Sequence, residues 1–537
     1  MQRRDFLRCA ALGAGALAAG FPRLGKSAGP IARLDSAGSP PLTIGEGRPN
    51  IVYVLCDDLG YGDVHALNPE RGKIPTPNMD RLAAAGMVFT DVHSSSSVCT
   101  PTRYGIMTGR YNWRTRLQSG VLGGFSPALI DAGRLTVPKL LKQQGYHTAC
   151  IGKWHLGMTM PITKKSGKYT DQIEDGNDGT FNAQQRIGDG PTTRGFDYYY
   201  GISASLDMPP FAFIENDRFT QAPTATKKWL RSGPAAPDFE AIDVLPTLAR
   251  KACEYFAARA VDAKAGKPFF LYLPLASPHT PIVPTKDWQE KSGLNPYADF
   301  VMQTDAALGE ILAALEKNGL AATTLVIFTS DNGCSPAAKI DELEGKGHFP
   351  SWQLRGHKAD IWDGGHRVPF IARWPGRIQA GAKCAQVACL TDLMATCAAL
   401  VGAQLPDNAG EDSVSLVPAL LGTATAPLRE AVVHHSIEGR FAIRQGPWKL
   451  ELCYGSGGWS QPKEGVARKQ KLPHMQLYDM TQDLGERKNL QAEQPELVAR
   501  LTRLLEKYVA DGRSTPGAPQ HNDVPVDIWK AKPAKPE

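Results

Sequence analysis

Residues 50–60 read NIVYVLCDDLG: an almost unbroken apolar run that ends on two adjacent carboxylates, Asp57 and Asp58. A run of this kind suits a strand covered on both faces, as in a parallel sheet, because a half-exposed strand would alternate apolar and polar residues. Three later stretches repeat the pattern. Residues 146–151 lead into Gly152-Lys153-Trp154-His155, residues 268–276 into Ser277-Pro278-His279, and residues 324–330 into Asp331-Asn332-Gly333. In open α/β sheets ligands gather beyond the carboxyl ends of the strands. Four strands that all empty into ionisable or metal-binding groups therefore predict a functional site as well as a fold.

Helical segments separate these strands. Residues 78–86, 135–145, 241–260 and 297–318 read as helices, the last with Leu308, Ile311, Leu312 and Leu315 at helical spacing. A further strand is expected at 87–92. The alternation continues to about residue 400 and predicts a doubly wound α/β sheet in a catalytic domain over 49–405. Residues 158–235 are polar, Gly-rich and poorly periodic, and read as a long insertion shaping the rim of the site. Short strands at 431–436, 440–444 and 448–452 and a helix at 495–511 predict a smaller C-terminal α+β subdomain over 406–512, with a loose tail at 513–537. A chain of 537 residues suits this large-plus-small arrangement.

The formal charge of +6 is mild and uneven. Arg3, Arg4, Arg8, Arg23 and Lys26 stand against Asp5 in residues 1–28, so the remainder is near neutral and gives no reason to expect nucleic acid as a partner. The basic start, a short apolar run at 9–19 and small residues at 18–20 and 27–29 predict an export signal over 1–28. Adjacent arginines followed by Phe6-Leu7 resemble a twin-arginine signal, which implies export machinery as a partner and a periplasmic or extracellular destination. Residues 29–48, rich in Pro, Gly and Ser, read as a linker. The ten cysteines show no compact metal-ligand spacing. Asp57, Asp58, Asp331 and Asn332 offer only hard oxygen donors, which favours Ca²⁺, with Mg²⁺ as the other candidate, over zinc. Strand-end Asp and Asn also serve as turn formers and helix caps. Two such pairs beside lysines and histidines at matching strand ends favour the site.

The sharpest segment is Cys99-Thr100-Pro101-Thr102-Arg103, followed by Thr108-Gly109-Arg110. Cys-x-Pro-x-Arg resembles the sequence in which type I sulfatases have a cysteine oxidised to formylglycine. Lys153-Trp154-His155, Pro278-His279, Asp331-Asn332-Gly333 and Arg355-Gly356-His357-Lys358 follow in that family's order, across most of residues 49–375. The resemblance implies an alkaline-phosphatase-like mixed sheet and hydrolysis of sulfate monoesters. It also implies a formylglycine-generating enzyme as a partner during maturation. It places formylglycine at Cys99, with Arg103 holding that side chain and the metal, and Asp57, Asp58, Asp331 and Asn332 ligating Ca²⁺ together with residue 99. Lys153 and Lys358 would bind sulfate oxygens, His155 would act as the base for sulfate elimination, and His279, with Lys358, would protonate the departing alcohol. Formylglycine is similar to an aldehyde hydrate: one hydroxyl attacks sulfur, and the other, deprotonated, expels sulfate.

The pattern looks like exported bacterial sulfatases of sulfated polysaccharides, including enzymes similar to N-acetylgalactosamine-6-sulfatases. A sulfated saccharide is therefore the expected substrate and an aryl sulfate a surrogate. Asp197-Tyr198-Tyr199-Tyr200 and Asp207-Met208, and the 334–357 segment with His348, Trp352 and Arg355, are candidate rims for a sugar. His348, His357 and His366 have no role in the family pattern and read as loop or rim residues. Two other readings stay open: a phosphatase or phosphonate monoester hydrolase on the same fold, and a non-catalytic protein that binds sulfated glycans.

Overall fold

The computed structural model describes residues 47–162, 182 and 185–530. The expected export signal, nearly all of the linker, residues 163–181, 183 and 184 of the expected insertion, and the last seven residues of the tail lie outside the described residues.

The apolar run forms the Asn50–Asp57 strand, every residue of it buried. It pairs in parallel with Thr324–Ser330 on one side and Phe269–Pro278 on the other. Phe269–Pro278 pairs in parallel with His147–Lys153, which pairs in parallel with Tyr198–Ile202. These five strands share one direction, so their carboxyl ends all open at the same edge. Five more strands extend the sheet to ten: Phe370–Arg373 and Met87–Phe89, each antiparallel to its inner neighbour, then Ala382–Cys384, parallel to Met87–Phe89, lie beyond Thr324–Ser330, and the antiparallel Ile214–Glu215 and Arg218–Phe219 lie beyond Tyr198–Ile202. The sheet is therefore mixed, with a parallel centre.

Alternation along the first strand sends Val52, Val54 and Cys56 to one face and Ile51, Tyr53 and Leu55 to the other. The first face is covered by helices Pro77–Ala85, Val244–Lys264 and Pro296–Lys317, and the second by Cys99–Thr108, Val137–Gln143 and Leu393–Val401. Helices on both faces explain why the central strands lack polar alternation.

Residues 158–235 are more than an insertion. Tyr198–Ile202 joins the main sheet, and Ala225–Trp229 and Arg231–Ala235 form a separate hairpin. At 198–200, expected as part of a sugar rim, aromatic residues, good strand formers, build a strand without the aliphatic run that usually marks one. The expected strand at 87–92 ends at Phe89, and Val92–His93 pairs separately with Ala388–Cys389.

The C-terminal part is a four-stranded antiparallel sheet of Val432–His435, Phe441–Gln445, Trp448–Glu451 and Gln476–Asp479. Its last strand was not expected from the sequence. Helix Pro495–Ala510 packs Val498, Leu501 and Leu505 onto it. Up to Lys530 the expected loose tail is held against the large domain. Asp523 pairs with Arg110, Asn522 accepts from Arg114 and Ile528 is buried. Among the described residues no helix is long and apolar enough to cross a membrane, and no described cysteine is in a disulfide.

Arg114, fully buried, joins the two parts. Its Nε and Nη2 donate to Asp412 at 2.9 and 2.8 Å, and its Nη1 donates to the Tyr508 carbonyl at 3.0 Å. Removing one partner of a buried pair leaves the other charge unpaired, so Arg114→Ala should cost about 3–5 kcal/mol in urea unfolding; a loss below about 1 kcal/mol would contradict this account of the junction.

Candidate functional site

The edge shared by the five parallel strands carries the site. Asp57 is the last residue of its strand, and Asp58 follows in a left-handed turn at φ +67° that aspartate tolerates. Asp331 and Asn332 follow Ser330, His279 follows Pro278, and Lys153 ends its own strand. Gly152 before it has φ +140°, and a Cβ there would lie 1.9 Å from the Pro274 carbonyl, so only glycine allows the two strands to come this close. Helix Cys99–Thr108 begins at the cysteine itself. Pro101 sits in its first turn, where the missing N–H would have no partner anyway. Lys358 comes from the loop between helices Ile340–Gly345 and Asp363–His366, and its N–H donates to the Cys334 carbonyl at 2.9 Å.

The side chains converge at this edge. Cys99 Sγ lies 3.5 Å from Asp57 Oδ1, and Lys153 Nζ lies 2.5 Å from Asp57 Oδ2. Arg103 donates to Asp331 Oδ2 through Nη2 at 2.8 Å and Nε at 3.1 Å, and to the Lys153 carbonyl at 2.9 Å. Lys358 Nζ lies 2.7 and 2.8 Å from the two Asp58 oxygens, and Asn332 Nδ2 donates to Asp58 Oδ1 at 2.8 Å. His279 Nε2 is 3.6 Å from Asp58 Oδ2. Its Nδ1 donates to the Thr280 carbonyl at 2.7 Å, so Nε2 is the nitrogen presented to the cluster. His155 donates from Nε2 to the Leu122 carbonyl at 2.7 Å, which leaves the lone pair on Nδ1, an atom that is buried without a partner.

Three carboxylates and three cations thus share one buried space. Burial pushes the Asp57 carboxyl up, but Lys153, then His279 and Arg103, outweigh it and hold it well below the usual carboxylate range. Burial and the neighbouring Asp57 charge push Asp331 up to about 6, against the pull of Arg103. Burial raises the Cys99 thiol, and the pull of Lys153 and Lys358 only partly offsets it, so an unmodified thiol here stays protonated. Burial, then Lys153 and Arg103, hold His155 well below the usual imidazole value and therefore neutral. Burial disfavours the Lys358 ammonium, but Asp58 more than compensates and raises it.

The donor set suits a hard divalent cation. Asp57, Asp58, Cys99 and His279 each place one potential ligand atom within 4.8 Å of the others. Asn332 Oδ1 is buried nearby with no hydrogen-bond partner. This closest grouping holds His279 where the sequence suggested Asp331, whose Oδ2 is taken by Arg103 and whose Oδ1 accepts the Asp58 N–H at 3.3 Å. Carboxylate and amide oxygens in such number match Ca²⁺ or Mg²⁺ chemistry.

Of the residues expected in loops or at the rim, His348 lies in a loop and His366 at the end of helix Asp363–His366, and neither is at an exposed rim. His348 is fully buried and bonds Asp63 at 2.8 Å, and His366 is fully buried, stacked on His434 at 3.9 Å between ring centroids. His357 does lie in a loop, held by Ser460 Oγ at 2.9 Å. Two neighbours of the site escaped the sequence reading as site residues. Ser205 Oγ accepts from Lys153 Nζ at 2.7 Å, and Asp207 Oδ1 lies 3.9 Å from His279 Nδ1. Neither sits in a motif or at a strand end; Ser205 carried no sequence signal, and Asp207 was expected only as part of a candidate sugar rim.

Residues 49–403 match the family described as Sulfatase. N-acetylgalactosamine-6-O-sulfatase of Bacteroides thetaiotaomicron is 31% identical over 86% of this chain and 93% of its own length. Human arylsulfatase A is 33% identical over 82% of this chain and 83% of its own. A solved Bacteroides thetaiotaomicron structure, described under the metabolism of multiple glycosaminoglycans, superposes with a TM-score of 0.73 at 30% identity. The likeness covers 86% of this chain and 99% of that one.

A cation held by these oxygens would stabilise the fold by mass action, about 2.7 kcal/mol at a hundred times its Kd. Asp331→Ala should lower bound cation, read by elemental analysis, and the melting temperature in Ca²⁺ or Mg²⁺ together. A variant unchanged in both would contradict the metal assignment.

Proposed function

The chain belongs to the sulfatase family and is a sulfuric ester hydrolase with the alkaline-phosphatase-like fold, and from that premise we propose that its substrate is a sulfated carbohydrate, cleaved by a formylglycine made from Cys99. The observation that carries the reading is the placement of Cys99 at the start of its helix, 3.5 Å from Asp57 and ringed by Arg103, Lys153 and Lys358. Likeness to an N-acetylgalactosamine-6-O-sulfatase over most of both chains supports a saccharide as the alcohol.

A sulfate monoester is anionic and repels nucleophiles until its charge is offset. Formylglycine at residue 99 would supply a hydrated aldehyde with two hydroxyls, and Ca²⁺ held by Asp57, Asp58, Asp331, Asn332 and residue 99 would supply Lewis-acid charge. Lys153 and Lys358 bind the sulfate oxygens, and with Arg103 they form a preorganised cationic cage. Arg103, anchored to Asp331 and to the Lys153 carbonyl, orients residue 99. His155 Nδ1, neutral and unpartnered, accepts the proton whose removal allows sulfate to leave. His279 Nε2 holds the proton for the departing alcohol oxygen, with Lys358 beside it. The near-complete burial of all these groups excludes water and strengthens each electrostatic contact.

Maturation would need a formylglycine-generating enzyme. The Arg3-Arg4 start supports export through the twin-arginine machinery to the periplasm or the cell exterior. The substrate class is tested by screening defined sulfated saccharides for desulfated products, with conversion of residue 99 checked by mass spectrometry. Release from one of them, faster than from a simple aryl sulfate, is the expected result; cleavage of aryl sulfates alone would remove the carbohydrate reading. Cys99→Ser should lower steady-state turnover by about 100-fold or more, because a serine ester has no second hydroxyl with which to expel sulfate. Ordinary multiple turnover by that variant would contradict the chemistry.

A further inference from the structure

Asp207 lies five residues beyond the Tyr198–Ile202 strand, in the segment that also gives Ser205 to Lys153. Its side chain is only 7% exposed. Oδ2 is held by Arg231, the first residue of the hairpin strand Arg231–Ala235. Oδ1 is different: it is buried, has no hydrogen-bond partner, and lies 3.9 Å from His279 Nδ1. Orienting His279 does not account for it, because that Nδ1–H is already given to the Thr280 carbonyl at 2.7 Å. A buried acceptor left unpaired is costly and rare, and beside a reacting group it calls for a donor that comes with the ligand.

We propose that Asp207 is a specificity-determining residue, whose free oxygen accepts a hydrogen bond from a neutral hydroxyl or amide N–H on the sulfated ring, next to the ester oxygen that His279 faces. The inference rests on the carbohydrate reading and on the role of His279. Arg231 fixes the carboxylate and so decides which oxygen is presented. The negative charge selects as well as binds. A ring bearing a second sulfate or a carboxylate at that position would meet like charge, so the site favours a ring with a free neighbouring donor. A simple aryl sulfate offers no such donor and gains nothing from Asp207.

The test compares kcat/KM on 4-nitrophenyl sulfate with kcat/KM on a monosulfated saccharide that the wild type cleaves, for wild type, Asp207→Asn and Asp207→Ala matched in formylglycine content. The ratio of saccharide to aryl activity should fall by about 10-fold or more in both variants. Deoxy analogues lacking each hydroxyl beside the sulfate, used on the wild type alone, should include one that loses a similar factor. On that analogue the variants should lose little more. Equal losses on both substrate types, an unchanged ratio, or a deoxy series with no loss would each overturn the assignment, and the deoxy series decides it even if the variants fold poorly. A wild type that cleaves the aryl sulfate and no saccharide would instead overturn the carbohydrate reading, and this inference with it.

Discussion

The constraint on which the rest depends is the crowding of three buried carboxylates at the tips of neighbouring parallel strands. Asp57, Asp58 and Asp331 sit close together, and burial, with the Asp57 charge added to it, raises the Asp331 carboxyl to about 6. Such like-charge crowding persists only when something compensates for it. Here the compensation is explicit: Lys153 on Asp57, Lys358 on Asp58 and Arg103 on Asp331. Parallel pairing is what makes the arrangement possible, because it brings the ends of Asn50–Asp57, Thr324–Ser330 and Phe269–Pro278 to one edge. The same charges that would otherwise strain the fold make a site matched to a divalent cation and an anionic ester.

The C-terminal subdomain belongs to this arrangement. The Ser97 N–H, two residues before Cys99, donates to the His435 carbonyl at 3.0 Å, and the Ser97 carbonyl accepts from Ala359 at 2.9 Å. Ala359 in turn accepts from the Ile437 N–H at 3.1 Å. The turn that presents Cys99 and the loop that presents Lys358 are thus tied to each other and to the edge of the smaller sheet. Arg444, from that sheet, holds Asp91 through two contacts of 2.8 and 2.7 Å, and Asp91 holds His93 at 2.7 Å. The smaller sheet therefore buttresses the turns that present Cys99 and Lys358 as well as closing the core.

What the sequence made legible follows from how local each signal is. The Asn50–Asp57 and Thr324–Ser330 strands are aliphatic runs covered on both faces, and the residues after them had to lie at one edge once the strands were parallel. Cys99, Arg103 and Lys153 were readable because each stands in a short motif. His366 was misread as a rim residue because what buries it, the stacked ring of His434, arrives from a distant strand. Tyr198–Ile202 was hidden because tyrosines and glycine replace the aliphatic residues that mark a buried strand. Asp207 was legible only as part of a candidate sugar rim, since its particular contacts depend on Arg231 and His279, which only the folded chain brings to it. The tail up to Lys530 was read as loose because proline-rich segments lack periodicity, yet Asp523 finds Arg110.

The most direct test of the central claim is to measure release of sulfate and of phosphate from matched monoesters of one alcohol, using preparations whose conversion of residue 99 spans a range fixed by mass spectrometry. The account predicts that sulfate release rises in proportion to the converted fraction and exceeds phosphate release throughout. Turnover independent of conversion, or a preference for the phosphate ester, would contradict it.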